Sequence, residues 1–251
     1  ISGHTFHLID LIFRQIKEKG GNIISDAQIL SEHDDNSDLD RIMSGVSIKR
    51  VHRKLERLIK RINQTTLETI YALVETMRAK DSYTQEHSMS MVLYAEEMGR
   101  ILGLPERDIE NLKLGAMLHD IGKVGISDKI LQKKGPLTEG EFGIIKKHPL
   151  IGAEIVRRVH FLKDVVPILL HHHEAFDGTG YVGHLKGEEI PLLARITSIV
   201  DVYQALISKR SYRRAYNQEE AIDILKKESR TKFDPSLVEI FIKLVSSKAN
   251  K

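Results

Sequence analysis

Apolar residues recur every three or four positions along most of the chain, and alternating β-branched runs are rare, so the pattern predicts an all-α fold. Phe6, Ile9, Phe13 and Ile16 share one face of a first predicted helix over 5–19, which Gly20 and Gly21 stop. The following SEHDDNSDLD is acidic and poor in apolar residues, and reads as a solvated linker. A long helix begins at about Ser47, with Ile48, Leu55 and Ile62 in one heptad row and Val51 and Leu58 in the next. So short a seam fits either a coiled-coil dimer stalk or an amphipathic helix packed on its own domain.

Beyond it the pattern predicts helices over 65–80, 87–103, 105–119, 141–148, 152–159, 165–173, 192–208 and 218–229, with a last one after Asp234-Pro235. Gly103 stops one helix and Pro105 sits in the first turn of the next, while Pro149 lies just past the end of 141–148. The glycine-rich FDGTGYVGHLKGEEIP reads as a loop. The expected organisation is an N-terminal helical, regulatory segment with its acidic linker over 1–46, a connecting helix over 47–64 and a main domain over 65–251.

Composition narrows the chemistry. A chain of 251 residues that is 41% hydrophobic can build one full core plus an appendage. The absence of cysteine removes disulfides, thiolate nucleophiles and thiolate metal sites, so any metal must be held by His, Asp and Glu. A net charge of +3 is too balanced to call for DNA as a partner. No run reaches the roughly 18 apolar residues of a membrane span, and no signal pattern opens the chain. The expectation is a cytoplasmic protein with no membrane segment in this chain, and a start at Ile1 leaves room for a sensor or anchor upstream.

Eight of the twelve histidines fall between His87 and His184. The sharpest cluster is His119-Asp120 in LGAMLHDIGKVGISD, followed by His148, the run His171-His172-His173-Glu174, and Asp201. Imidazoles and carboxylates spaced 29, 24 and 28 residues apart suit delivery from successive helices to one multinuclear metal site. An isolated His-Asp pair would more simply be a cap or ion pair, and the other clusters shift that balance. Asp120 has two oxygens with which to bridge two cations. Lys123, four residues after His119, is expected on the same helical face, where its ammonium would hold a substrate phosphate. Three consecutive imidazoles cannot all face one centre. Asp201 is embedded in IVDV, and burying it unpaired would cost several kcal/mol, so it calls for a cation or a strong hydrogen bond.

HDIGKVGISDKIL, the HP of His148-Pro149, HHHEAFDGTGYVGHLKGEEIPLLARI, IVDVYQAL and FDPSLVEIF, in this order, resemble the HD-GYP domain, a branch of the HD metallophosphohydrolases, over about 65–244. The resemblance implies an HD-type helical bundle that hydrolyses the bacterial messenger cyclic di-GMP to linear pGpG, and onward to GMP, by a hydroxide bridging the metals, commonly iron or manganese. It implies His87, His119, Asp120, His148, His172, His173 and Asp201 as metal ligands, with Asp120 bridging and catalytic beside Lys123, and His171 in a supporting position. It also implies that Lys123, Arg210 and Arg213 contact the dinucleotide. Family members with a third ion carry Glu four residues before the first histidine; Tyr83 stands there, so two divalent ions are expected.

Three positions depart from the family pattern. Val182 replaces the proline of GYP, His184 replaces a glycine, and Gln204 replaces a second carboxylate of DxxDA. They leave open hydrolysis of another cyclic dinucleotide such as cyclic GMP-AMP, or a weakly catalytic binding module that reports to signalling partners through a homodimeric 47–64 stalk. His160 and His184 are expected to be bystanders.

Overall fold

A computed structural model describes residues 85–208 and 214–249 continuously, together with residues 54, 57, 58, 61 and 74. The chain divides into two compact units, Ile1–Thr66 and Leu67–Lys251. In the first, the expectations for helix 5–19, the linker, and Ile48, Val51, Leu55 and Ile62 of the stalk lie outside the described residues. Leu58 is helical and 48% exposed. Tyr83, Arg210 and Arg213 also lie outside the described residues, as does the side chain of His87.

The described part of the second unit is an all-α bundle. Its elements are α1 (Gln85–Ile101), α2 (Glu106–Leu118), a 3₁₀ turn (Ile121–Gly125), α3 (Asp128–Leu131), α4 (Glu139–Ile145), α5 (His148–Arg157), α6 (Val166–His171), α7 (Leu192–Ile207), α8 (Gln218–Lys227) and α9 (Pro235–Ala249), with short 3₁₀ turns at His160–Leu162 and Gly187–Glu189. Among the described residues the only β pairing is one bridge, Ser229 to Phe233. No helix among them is long and apolar enough to cross a membrane.

Helix α7 is the hub. A helix apolar on most sides must be surrounded, and α7 buries Ala194, Ile196 to Val200, Tyr203, Gln204 and Leu206 while touching α1, α2, α6, α8 and α9. Tyr94 of α1, Tyr203 of α7 and Phe241 of α9 meet edge-on at 5.0 to 5.7 Å between ring centres, locking three helices at one node. Arg195 of α7 pairs at 2.6 Å with Asp234, whose other oxygen accepts the Ser236 amide at 2.9 Å and so caps α9.

Helix α1 ends where the sequence predicts, with Gly103 at φ +66° and the Leu104 amide returning to the Gly99 carbonyl. Pro149 requires a correction. It lies in the first turn of α5 rather than after a helix, because a proline lacks only an amide that the first turn leaves unpaired anyway. His148 therefore begins a helix instead of ending one.

Candidate metal centre

The histidines and carboxylates reach one place because helix ends converge there. Leu118 is the last residue of α2, His119 caps it, and Asp120 at φ −95°, ψ 2° turns the chain into the 3₁₀ turn, so these neighbours can address one space. His148 opens α5, His172 caps α6, and Asp201 projects from the middle of α7. The approach of the 3₁₀ turn to α5 needs Gly122: a Cβ there would lie 1.9 Å from the His148 carbonyl oxygen.

Three imidazoles are held the same way. Nδ1 of His119, His148 and His172 lies 2.8, 2.9 and 2.8 Å from the carbonyl oxygens of Ala116, Ile145 and Leu169, each three residues earlier. Nδ1–H donation to a carbonyl fixes the ring and leaves the Nε2 lone pair for a cation. Those Nε2 atoms point at the cluster. His148 Nε2 is 3.3 Å from His172 Nε2 and 3.4 Å from Asp120 Oδ1. His119 Nε2 is 3.2 Å from Asp120 Oδ2 and 3.8 Å from Asp201 Oδ1. Donor atoms of His148, His172 and His173 all lie within 4.8 Å of one another.

Two inward lone pairs 3.3 Å apart repel unless something positive lies between them, which is the condition a divalent ion meets. Imidazole and carboxylate donors without thiolate fit Mn, Fe, Co, Ni or Zn. The residues present therefore fit the metal that their chemistry implies.

The electrostatics agree for His148, His172 and His173. Burial, reinforced by neighbouring imidazoles, holds His172 well below the usual histidine range; burial lowers His148 and pushes His173 down to about 3. These rings are neutral, as ligands must be. His119 differs: burial opposes its charge, but Asp120 alongside, with Asp201 and the Ala116 carbonyl, raises it to about 9, so a cation at its Nε2 would have to displace a proton. Asp120 stays well below the usual carboxylate range: burial resists its charge, and Lys123 and His119 outweigh that resistance.

Other expectations change in detail. Lys123 does not share a helical face with His119, because α2 has already ended; from the 3₁₀ turn its ammonium reaches back to Asp120 Oδ2 at 2.8 Å. Asp201 is not fully enclosed, its side chain keeping 16% exposure on the cluster side of α7. His87 lies in the first turn of α1. Gln204 is buried one turn beyond Asp201, and its Nε2 makes no hydrogen bond among the described residues. His184 is exposed at φ +53°, the left-handed conformation that glycine favours at the equivalent family position. His160 is exposed as well.

Two residues to which the sequence assigns no role belong to the site. Glu174 is 3% exposed and accepts hydrogen bonds from the Gly183 amide at 2.5 Å and from His171 Nδ1 at 3.3 Å. Tyr181 lies over His173 with ring centres 5.0 Å apart and planes 31° from parallel, and Lys146 sits 5.3 Å above the tyrosine ring. Burial, with Asp120 and Asp201 facing the phenol, pushes the Tyr181 pKa up. A buried acid directly after a histidine run was a readable hint of Glu174's role; nothing in the sequence pointed to the stacking of Tyr181.

The HD domain family model matches residues 53–237 of this chain. The chain is 40% identical over 193 residues to a cyclic di-GMP phosphodiesterase of Pseudomonas aeruginosa, covering 75% of this chain and 46% of that protein. It is 34% identical over 210 residues to the 3'3'-cGAMP-specific phosphodiesterase 2 of Vibrio cholerae, covering 82% of this chain and 40% of that protein. The crystal structure of a cyclic GMP-AMP specific phosphodiesterase of V. cholerae shares the fold at a TM-score of 0.55 and 21% identity, over 71% of this chain and 48% of that one. The chain thus spans about half the length of the curated relatives it matches.

Proposed function

The chain belongs to the HD-domain family as an HD-GYP-like member, and from that premise we propose that it is a metal-dependent phosphodiesterase that opens a cyclic dinucleotide. The observation that carries this reading is the set of three imidazoles, each tied back through Nδ1: Nε2 of His119 and of His148 faces the Asp120 carboxylate, and Nε2 of His172 lies beside that of His148. Two divalent ions, iron or manganese, held by His87, His119, Asp120, His148, His172, His173 and Asp201, would supply Lewis-acid charge at the phosphorus and make water a nucleophile near neutral pH.

The side chains set the rest. Asp120 presents Oδ1 toward His148 and Oδ2 toward His119, so its two oxygens address the two sides that a bridging carboxylate must reach. Lys123 keeps its ammonium beside Asp120 with its side chain 20% exposed, close enough to receive a phosphate oxygen and neutralise charge as it develops. Tyr181 lies against His173 with ring centres 5.0 Å apart and so flanks one side of that imidazole. Arg210 and Arg213 are proposed dinucleotide contacts from the family pattern.

Cyclic di-GMP is the first substrate to test, on the relatives in P. aeruginosa, Xanthomonas campestris and Thermotoga maritima. Cyclic GMP-AMP is the second reading, favoured by two cGAMP-specific relatives that align over 82% and 91% of this chain. The test is to load the protein with Mn²⁺ or Fe²⁺ under reducing conditions and compare initial rates on both compounds and on cyclic di-AMP. Full metal occupancy without turnover of any of them refutes the enzyme reading. Tight binding without turnover assigns the chain to a signalling receptor instead.

A further inference from the structure

The histidine run splits its labour. His172 and His173 face the cluster, whereas His171, the last residue of α6, directs Nδ1 at Glu174 Oε1, 3.3 Å away. That same oxygen accepts the Gly183 amide, so one buried carboxylate joins the end of α6 to the far end of the loop that carries Tyr181. Between these anchors the loop lies flat on the chain after α6. A Cβ on Gly180 would fall 2.2 Å from the Ala175 nitrogen, and the Tyr181 amide donates to the His173 carbonyl at 3.2 Å. Tyr181 is thus held on both sides by residues 173–175, with its ring over His173.

Val182 sits inside this span, where the family pattern has proline. Proline would fix φ near −65° and limit the loop from within, and it also restricts the residue before it, here Tyr181. Valine does neither. We propose that His171 and Glu174 are positioning residues: their hydrogen-bonded pair holds the Gly180–Gly183 loop from outside, keeps Tyr181 on His173, and replaces the constraint lost with proline. The kinetic part of this inference rests on the phosphodiesterase reading; the structural part does not.

The test uses His171→Ala, His171→Asn, Val182→Pro and His171→Ala/Val182→Pro in the full chain. Asparagine keeps an N–H near the position of Nδ1; alanine removes it. In metal-loaded protein, amide exchange at Tyr181 and Gly183 is expected to quicken by up to about tenfold in His171→Ala, as loss of one hydrogen bond implies. Metal content should stay unchanged, and exchange should return toward wild type in His171→Asn and, at Tyr181, in the double variant. With cyclic di-GMP or cyclic GMP-AMP, whichever is turned over, KM is expected to rise more than kcat falls, with the same rescue. Loss of metal in His171→Ala, unchanged exchange, or a double variant no more protected than His171→Ala would overturn the proposal. If wild-type protein turns over neither substrate, the exchange arm still decides the positioning role while the enzyme reading fails separately.

Discussion

Gly122→Ala strikes the contact that sets the metal centre. Gly122 is outside the left-handed region, so backbone strain is not at issue. Space is: the new methyl would lie 1.9 Å from the His148 carbonyl oxygen and 2.5 Å from the Gly152 nitrogen, and both are backbone atoms that cannot rotate away. Restoring ordinary contact requires the 3₁₀ turn and the start of α5 to part by about 1.5 Å. That displacement is large against the 3.3 and 3.4 Å separations that place His148 Nε2 beside His172 and Asp120. Overpacking of this kind costs about 1–3 kcal/mol, which a domain of this size should survive, while an error of about 1 Å in a reacting geometry costs about a hundredfold in rate. The expected result is a folded protein with reduced metal content and turnover lowered about a hundredfold or more. Gly143→Ala is the control, since nothing lies within 4 Å of a Cβ at this exposed helical position; it should leave both unchanged and add up to about 1 kcal/mol of stability. The assays are elemental analysis, thermal melting and initial rates. Full metal content and activity in Gly122→Ala would refute the claim that this approach sets the centre.

Three further outcomes are expected. Asp234→Ala strands Arg195 beside α7 and uncaps α9, for a loss of about 3–5 kcal/mol and a fall in melting temperature of roughly 10 °C, with metal content at room temperature unchanged; a melt within about 2 °C of wild type would contradict it. Removing metal with a chelator should abolish turnover and lower the melting temperature, since an ion present at about 100 times its Kd contributes about 2.7 kcal/mol; identical melts with and without metal would argue against the site. At the exposed start of α8, hydrogen bonds from Arg214 and from the Asn217 amide lower the Glu220 pKa from 4.5 to about 2. Its contribution is therefore complete above 4.5 and fades as pH falls toward 2, so the protection of amides at the start of α8, taken relative to the intrinsic exchange rate at each pH, should fall over that window in wild type and lose this dependence in Glu220→Gln.

How far the sequence could be read follows from where its constraints lie. Helices were legible because α7 and α9 bury continuous apolar stripes that only a 3.6-residue period explains. The convergence of His119, Asp120, His148, His172 and His173 was legible because paired His and carboxylate residues recur at helix-length spacing. Pro149 misled because the same residue ends one helix and begins another, and only the path of the backbone tells which. Lys123 misled because helical spacing was applied past the end of α2, although the apolar pattern already ended that helix at His119. The contacts of Glu174 and Tyr181 stayed hidden because their partners, Gly183 and His173, meet them through a glycine-rich loop whose path has no period to read.

The claim that these side chains form a metal centre for phosphodiester hydrolysis is tested most directly by metal analysis of protein purified without added metal, in parallel for wild type and His119→Ala, with circular dichroism to verify folding. Wild type should hold about two ions per chain, as two-metal hydrolysis requires, and His119→Ala should fold, lose metal and lose turnover together. A folded His119→Ala protein with the wild-type metal content would contradict the account.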